Sequence, residues 1–404
     1  MSGPPWAALW TPPGRGAIAT IRVSAEWSSW SLLDALPFRA ANGRPLSMQT
    51  VGRVLFGRWG SDPQEDVVAC AVDRQSWEIH CHGGAAAAQR ILRDLAGAGC
   101  RVVDWSELLR QTESPLRAEI LAELSRATTL QTAAILWEQA NGVFETALRA
   151  LASAARADLQ SAAAQIRDWL EWGEFGLHLT RLWRVVLAGR PNVGKSSLIN
   201  ALLGYTRSLV FDQPGTTRDV VSAVTAIDGW PIEFFDTAGL RESSDPLESA
   251  GIERAKATLE GADLAIVLVD ISQPAAQQDR AMIAEYPRAL VVAHKCDLPA
   301  YSGPEQWPTV EASGWLRVSA KTGVGVDALV AAISARLVPA VPPVDALVPA
   351  TVRQVSLLQR ALDAADRSDV AGVLRELDEL LTGSGASPLD QDSAANWNGF
   401  PATS

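Results

Sequence analysis

The sequence predicts an α/β protein: a doubly wound, mostly parallel sheet inserted in an α-helical domain and preceded by a small α+β unit. Three observations carry that prediction. Between residues 181 and 338, apolar strand-like runs alternate with amphipathic helices. Ahead of that region the chain is rich in Ala, Leu, Glu, Arg and Gln at helical spacing, and after it the chain returns to helix. Before it, residues 1–104 carry several short alternating runs and one good helix.

Within the first region, Gly16 to Val23, Val51 to Phe56, Val67 to Val72 and Trp77 to Cys81 read as strands, and Ala85 to Ala98 reads as a helix with Ile91, Leu92 and Leu95 on one face. Residues 105–180 form the first part of the helical layer, with Pro115 and Gly142 as its interior punctuation. Residues 181–338 hold the alternating α/β pattern. Pro339 to Pro349 is a proline-rich connection, and Ala350 to Leu381 returns to helix within a second helical part, 339–384. A helix placed after an inserted unit is expected to fold back on the earlier helices. Residues 385–404, rich in Ser, Gly, Ala, Asn and Asp, are expected to be disordered.

Composition narrows the function. The chain has 404 residues, 48% of them hydrophobic and 20% charged, and no apolar run reaches the ~20 residues of a membrane span. A cytoplasmic location without membrane contact is expected. The net charge of −11 excludes bulk electrostatic coating of nucleic acid, so any RNA contact needs a local basic patch. Cys70, Cys81, Cys100 and Cys296 lack metal-ligand spacing and read as reduced thiols. Fifteen tryptophans are dispersed and read as packing residues.

The chemistry starts at Gly189-Arg190-Pro191-Asn192-Val193-Gly194-Lys195-Ser196, a complete phosphate-binding loop between the apolar run Leu182 to Ala188 and a helix from Ser197 to Gly204. Backbone N–H groups and the positive helix end converge there on a β-phosphate. Lys195 reaches the β- and γ-phosphates, and Ser196 is placed to ligate Mg²⁺. Thr216 and Thr217 follow about twenty residues later, in the position of a switch segment, with Thr217 the candidate for Mg²⁺ and the γ-phosphate. A strand then ends in Asp236-Thr237-Ala238-Gly239, where Asp236 would hold Mg²⁺ through water and the Gly239 N–H would sense the γ-phosphate.

Base choice is read from His294-Lys295-Cys296-Asp297. An aspartate can accept from guanine N1–H and the exocyclic amine, a donor pair that adenine does not present, so Asp297 favours GTP over ATP. The usual GTPase pattern has asparagine where this chain has His294. Ser319-Ala320-Lys321 completes the set by offering a backbone N–H to guanine O6. Leu240 stands where many small GTPases carry a water-orienting glutamine, so another group must orient the water if hydrolysis occurs.

The phosphate loop through Ser197 and on to Gly204, the Gly215-Thr216-Thr217-Arg218-Asp219 stretch and above all Asp236-Thr237-Ala238-Gly239-Leu240-Arg241-Glu242 through Glu248 and Gly251-Ile252-Glu253-Arg254-Ala255 resemble the MnmE (TrmE) family of tRNA-modification GTPases. Thr11 to Ser24 and Glu78 to Gly84 resemble that family's folate-binding N-terminal domain. The resemblance implies GTP hydrolysis on pairing of two G domains across K⁺, with Asn192 as K⁺ ligand and Glu248 orienting the attacking water through a second water. It also implies a homodimer formed through the N-terminal domain, a flavoprotein partner, MnmG, at the tRNA wobble uridine, and a tetrahydrofolate one-carbon donor near Arg22 and Glu78. The family's Cys-x-Gly-Lys tail is not found in Asn398 to Ser404, and its lysine-bearing folate stretch is not recognisable between Trp105 and Glu138. Two rival readings are a GTP-controlled binding module that has lost the modification chemistry and, with less support, a ribosome-assembly GTPase.

Overall fold

The computed structural model describes residues 4–12, 14, 16–24, 33–205, 222–236, 261–302, 307 and 314–383. Two compact units emerge, one from Met1–Ala122 with Leu381–Gly383 and one from Glu123–Leu380.

The first unit holds β1 (Trp6–Leu9), β2 (Ile18–Ser24), β3 (Phe38–Ala40), β4 (Val54–Trp59), β5 (Glu65–Ala71), β6 (Ser76–His82), α1 (Ala85–Gly97) and β7 (Arg101–Val102). The strands form a seven-stranded sheet in the order β3-β4-β5-β6-β2-β1-β7, antiparallel except for the β1–β7 pair. Alternation along β2 and β6 sends Ala19, Ile21, Val23, Trp77, Ile79 and Cys81 to one face, where they pack with Ile91 and Leu95 of α1. The other face carries Thr20, Arg22, Glu78 and His80. β4 begins three residues later than its apolar run predicts. Thr50 to Arg53 close a turn instead, with Gly52 at φ +78° and the Arg53 N–H bonded to the Thr50 carbonyl at 3.1 Å. β1, β3 and β7, of four, three and two residues, are too short to show a sequence period.

The helical stretch that follows comprises α2 (Trp105–Thr112), α3 (Pro115–Leu124), α4 (Leu130–Glu138), α5 (Phe144–Ala154), α6 (Leu159–Glu171) and α7 (Gly173–Leu177). Pro115 opens α3, as its fixed φ and missing N–H favour. Gly142 stands at φ +107° in the break between α4 and α5. Other starts come from caps: the side chains of Asp104, Thr129 and Asp158 each accept from backbone N–H groups of the following turn.

Among the described residues the nucleotide-type sheet has six strands in the order β13-β12-β11-β8-β10-β9, built from β8 (Trp183–Ala188), β9 (Ser222–Ile227), β10 (Trp230–Asp236), β11 (Leu264–Asp270), β12 (Leu290–His294) and β13 (Leu316–Val318). All neighbours are parallel except the β9–β10 hairpin, whose Asp228-Gly229 turn has both residues at positive φ. Among the described residues its helices are α8 (Lys195–Tyr205), α9 (Gln277–Glu285) and α10 (Val326–Leu337). Val185, Val186, Leu187, Ile266, Val267, Leu268 and Val292 are fully buried, which is why β8, β11 and β12 read as continuous apolar runs.

One expectation for the return segment changes. Pro339 to Pro349 contains no regular element, yet Leu347 and Val348 are buried, because Gln139 donates to the Ala346 carbonyl at 3.0 Å and accepts from the Val348 N–H at 3.2 Å. The helix expected over Ala350 to Leu381 is two helices, α11 (Val352–Asp366) and α12 (Val370–Thr382). Ser368, at φ +61°, turns the chain between them. α11 packs along α6, with Arg167 and Asp366 paired at 2.6 Å.

Candidate nucleotide site

The phosphate loop leaves the C-terminal end of β8 and enters α8, the place where parallel sheets of this kind gather ligands. Its glycines are there for geometry. Gly189 has φ +154° and a Cβ there would stand 2.8 Å from the Leu268 carbonyl; Gly194 has φ +106° and a Cβ would stand 2.5 Å from His294 Cε1. Asn192 is exposed at φ +62° and Val193 is buried.

Side chains from two other segments hold this loop. Arg190 pairs through Nε with Asp279 of α9 at 2.8–2.9 Å, and Asp279 is 1% exposed. Lys295, after β12, donates to the Asn192 carbonyl at 3.1 Å and to Asp270 of β11 at 2.7 Å. Burial works against the Asp270 carboxylate, but hydrogen bonds from Lys295 and Ser272 outweigh it and hold the carboxyl below the ordinary aspartate range. His294 Nδ1 lies 2.8 Å from the Val193 carbonyl. Burial pushes this imidazole below the usual histidine range despite that carbonyl. Arg190, Asp270 and Asp279 were not singled out from the sequence; the lone charge ending the apolar run of β11 is the one signal that marks Asp270.

Lys195 is buried and its Nζ donates to the carbonyls of Gly189 at 3.0 Å and Arg190 at 3.2 Å, which curls it over the loop. Ser196 Oγ donates to Asp236 Oδ2 at 2.6 Å across the ends of α8 and β10. Two hard oxygen donors from the two predicted positions are thus side by side, the donor chemistry Mg²⁺ requires. Ser197 is exposed on the first turn of α8.

The base-recognition residues also converge. Asp297 is exposed, and its carboxyl is held below the ordinary range chiefly by a hydrogen bond from Ser319, with the Lys321 charge adding to it. Ser319 is fully buried, and the Ala320 N–H donates to His294 Nε2 at 3.3 Å. Thr216, Thr217, Gly239 and Glu248 lie outside the described residues.

Sequence comparison places this site in a family. Residues 184–295 match the family described as 50S ribosome-binding GTPase. Over almost its whole length the chain is 34% identical to the tRNA modification GTPase MnmE of Chloroflexus aurantiacus, covering 96% of this chain and 93% of that protein. The chain belongs to the MnmE family of tRNA modification GTPases. MnmE of Symbiobacterium thermophilum is 32% identical over 81% of each chain, and that of Synechococcus sp. WH7803 is 33% identical over 88% of this chain and 85% of its own. A solved structure of Era from Aquifex aeolicus bound to GDP·AlF4⁻ is 29% identical over 45% of this chain and 66% of that one, at a TM-score of 0.31. This MnmE-family chain is a GTPase with a P-loop domain, and GTP and Mg²⁺ are the ligands that domain implies.

In the first unit, Arg22 and Glu78 are register partners on β2 and β6. The Arg22 guanidinium lies over the Trp10 ring at 5.1 Å, and its Nε is buried with no hydrogen-bond partner among the described residues. Glu78 stands 3.6 Å from His80 Nε2, and His80 meets the Thr20 hydroxyl at 2.9 Å. His82 is paired with Glu65 at 2.7 Å.

Proposed function

We propose that this chain is a K⁺-stimulated GTPase of tRNA wobble-uridine modification, active when two of its nucleotide domains pair. The observation that carries the reading is the Ser196–Asp236 contact beside Lys195, in a chain that aligns with MnmE along nearly its full length. The domain plan that goes with it is an N-terminal folate-binding and dimerisation domain at 1–104, a helical domain at 105–180 and 339–384 that holds the GTPase domain at 181–338, and a tail at 385–404 that lies outside the described residues.

In this reading Lys195 and the loop N–H groups hold the phosphates, and Ser196, Thr217 and Asp236 hold Mg²⁺. Asn192, an exposed oxygen donor at the loop tip, holds K⁺, which supplies the positive charge an arginine finger gives elsewhere. Glu248 orients the attacking water and the Gly239 N–H meets the γ-phosphate. A buried guanidinium nitrogen without a partner fits an acceptor group on a ligand, so Arg22 with Glu78 is the proposed contact for a tetrahydrofolate derivative. The proposed partners are a second copy of the chain, the flavoprotein MnmG, and tRNA bound through a local patch. No helix among the described residues is long and apolar enough to cross a membrane, and a cytoplasmic setting is proposed.

The test is turnover of GTP by the purified protein in K⁺ against Na⁺, with ATP as control and Glu248→Ala alongside. Potassium-dependent turnover lost in Glu248→Ala, with GDP still bound, is the expected result. GTP binding without turnover in either salt would favour the second reading, a GTP-controlled binding module, for which His294 at the base site is the motivating observation.

A further inference from the structure

One side chain joins the phosphate loop to the base-recognition loop. His294 is 3% exposed at the end of β12, with its ring packed against Gly194. Its Nδ1 faces the Val193 carbonyl at 2.8 Å, a group that only accepts, and its Nε2 faces the Ala320 N–H at 3.3 Å, a group that only donates. One protonation state satisfies both: the neutral imidazole with its proton on Nδ1. The other neutral tautomer opposes two acceptors at Val193 and two donors at Ala320, and the imidazolium opposes two donors at Ala320. The partners themselves therefore fix the tautomer.

The occupied donor is the one a guanine O6 would use. We propose that His294 is a positioning residue that sets how the base is read: in its Nδ1–H form it holds the Ala320 N–H, so position 6 of the purine is read weakly and selection falls on Asp297 at positions 1 and 2. This inference rests on the guanine-nucleotide reading above. An N–H shared between Nε2 and O6 gives each acceptor less than a full hydrogen bond, whereas the exposed Asp297 carboxylate keeps acceptor sites for two donors from the base beside its hydrogen bond from Ser319.

The experiment measures dissociation constants of GDP, inosine diphosphate and 6-thio-GDP for the full chain and for His294→Asn and His294→Ala. Inosine lacks the exocyclic amine that Asp297 reads, and sulfur at position 6 is a weak acceptor. In the wild type, inosine diphosphate should bind at least about tenfold more weakly than GDP, and 6-thio-GDP less than about threefold more weakly. His294→Ala removes the acceptor from the Ala320 N–H and should raise the 6-thio penalty to about tenfold while leaving the inosine penalty in place; His294→Asn, which keeps an amide oxygen acceptor, should fall between the two. Equal 6-thio penalties in all three proteins, with GDP bound tightly, would overturn this inference alone. Failure of the wild type to bind any guanine nucleotide would overturn the guanine reading and this inference with it. Imidazole ¹⁵N shifts of the wild type give a check that needs no variant: one neutral histidine carrying its proton on Nδ1 is expected, and its absence would refute the tautomer assignment.

Discussion

Replacing Asp279 by alanine should loosen the phosphate loop from a distance, because Asp279 belongs to α9 and touches the loop only through Arg190. The size of the effect follows from burial. Breaking a fully buried ion pair costs about 3–5 kcal/mol, since the surviving charge is left without a partner. Here the aspartate is 1% exposed but the arginine side chain is 30% exposed, so Arg190 recovers part of its solvation once released. A loss of about 2 kcal/mol is expected, within the range for a charge-assisted hydrogen bond. In a domain of this size, that lowers the melting temperature by about 4–8 °C. Arg190 precedes Asn192 by two positions, so the freed loop should also bind GDP more weakly. Thermal melts and titration with a fluorescent GDP analogue read both quantities. A double-mutant cycle with Arg190→Ala isolates the pair, and its coupling should account for most of the single-variant loss. Full independence of the two substitutions, or an Asp279→Ala protein that melts and binds as the wild type does, would refute the claim that this pair holds the loop.

Lys195→Ala should weaken GTP binding by about a hundredfold or more, the scale of losing a buried charge-assisted contact to phosphate, while the nucleotide-free protein melts within a few degrees of wild type; isothermal titration and a melt decide it. Asp270→Asn should lower stability at neutral pH. The folded-state carboxyl is held below its unfolded value, so its contribution is present above about pH 4 and lost as the pH falls through the folded pKa. Denaturant unfolding at neutral and acid pH should therefore show a gap between wild type and variant that closes in acid. Gln139→Leu should cost about 2–3 kcal/mol, because it leaves the Ala346 carbonyl and the Val348 N–H without their partner; Val348 is 1% exposed, and hydrogen exchange at that amide should rise.

The parts legible in the sequence were those with a strong local physical requirement. The phosphate loop could be read because only glycine accepts the backbone at Gly189 and Gly194, and the parallel strands because burial on both faces leaves uninterrupted runs such as Ile266 to Val269. What escaped depends on partners distant in sequence. Asp279 becomes a site-supporting residue only when α9 meets the loop, and the segment around Leu347 looks like a solvent-exposed connection until Gln139, some two hundred residues earlier, is placed beside it. The division of the return helix escaped for a different reason. Arg367-Ser368-Asp369 contains neither glycine nor proline, and Ser368 takes a left-handed conformation that local propensity does not announce.

Gly176, the residue before Leu177 at the end of α7, lies against the Pro349 carbonyl, and a side chain at 176 would collide with it. Residue 176 precedes the nucleotide-binding sheet and residue 349 follows it, so the outgoing and returning stretches of chain are sewn together at one seam. The stretch between them is nonetheless no passive loop, for Phe175 of α7 meets Trp230 of β10 edge to face at 5.3 Å and His178 faces Asp263 at 3.5 Å, so the seam also ties the helices to the sheet.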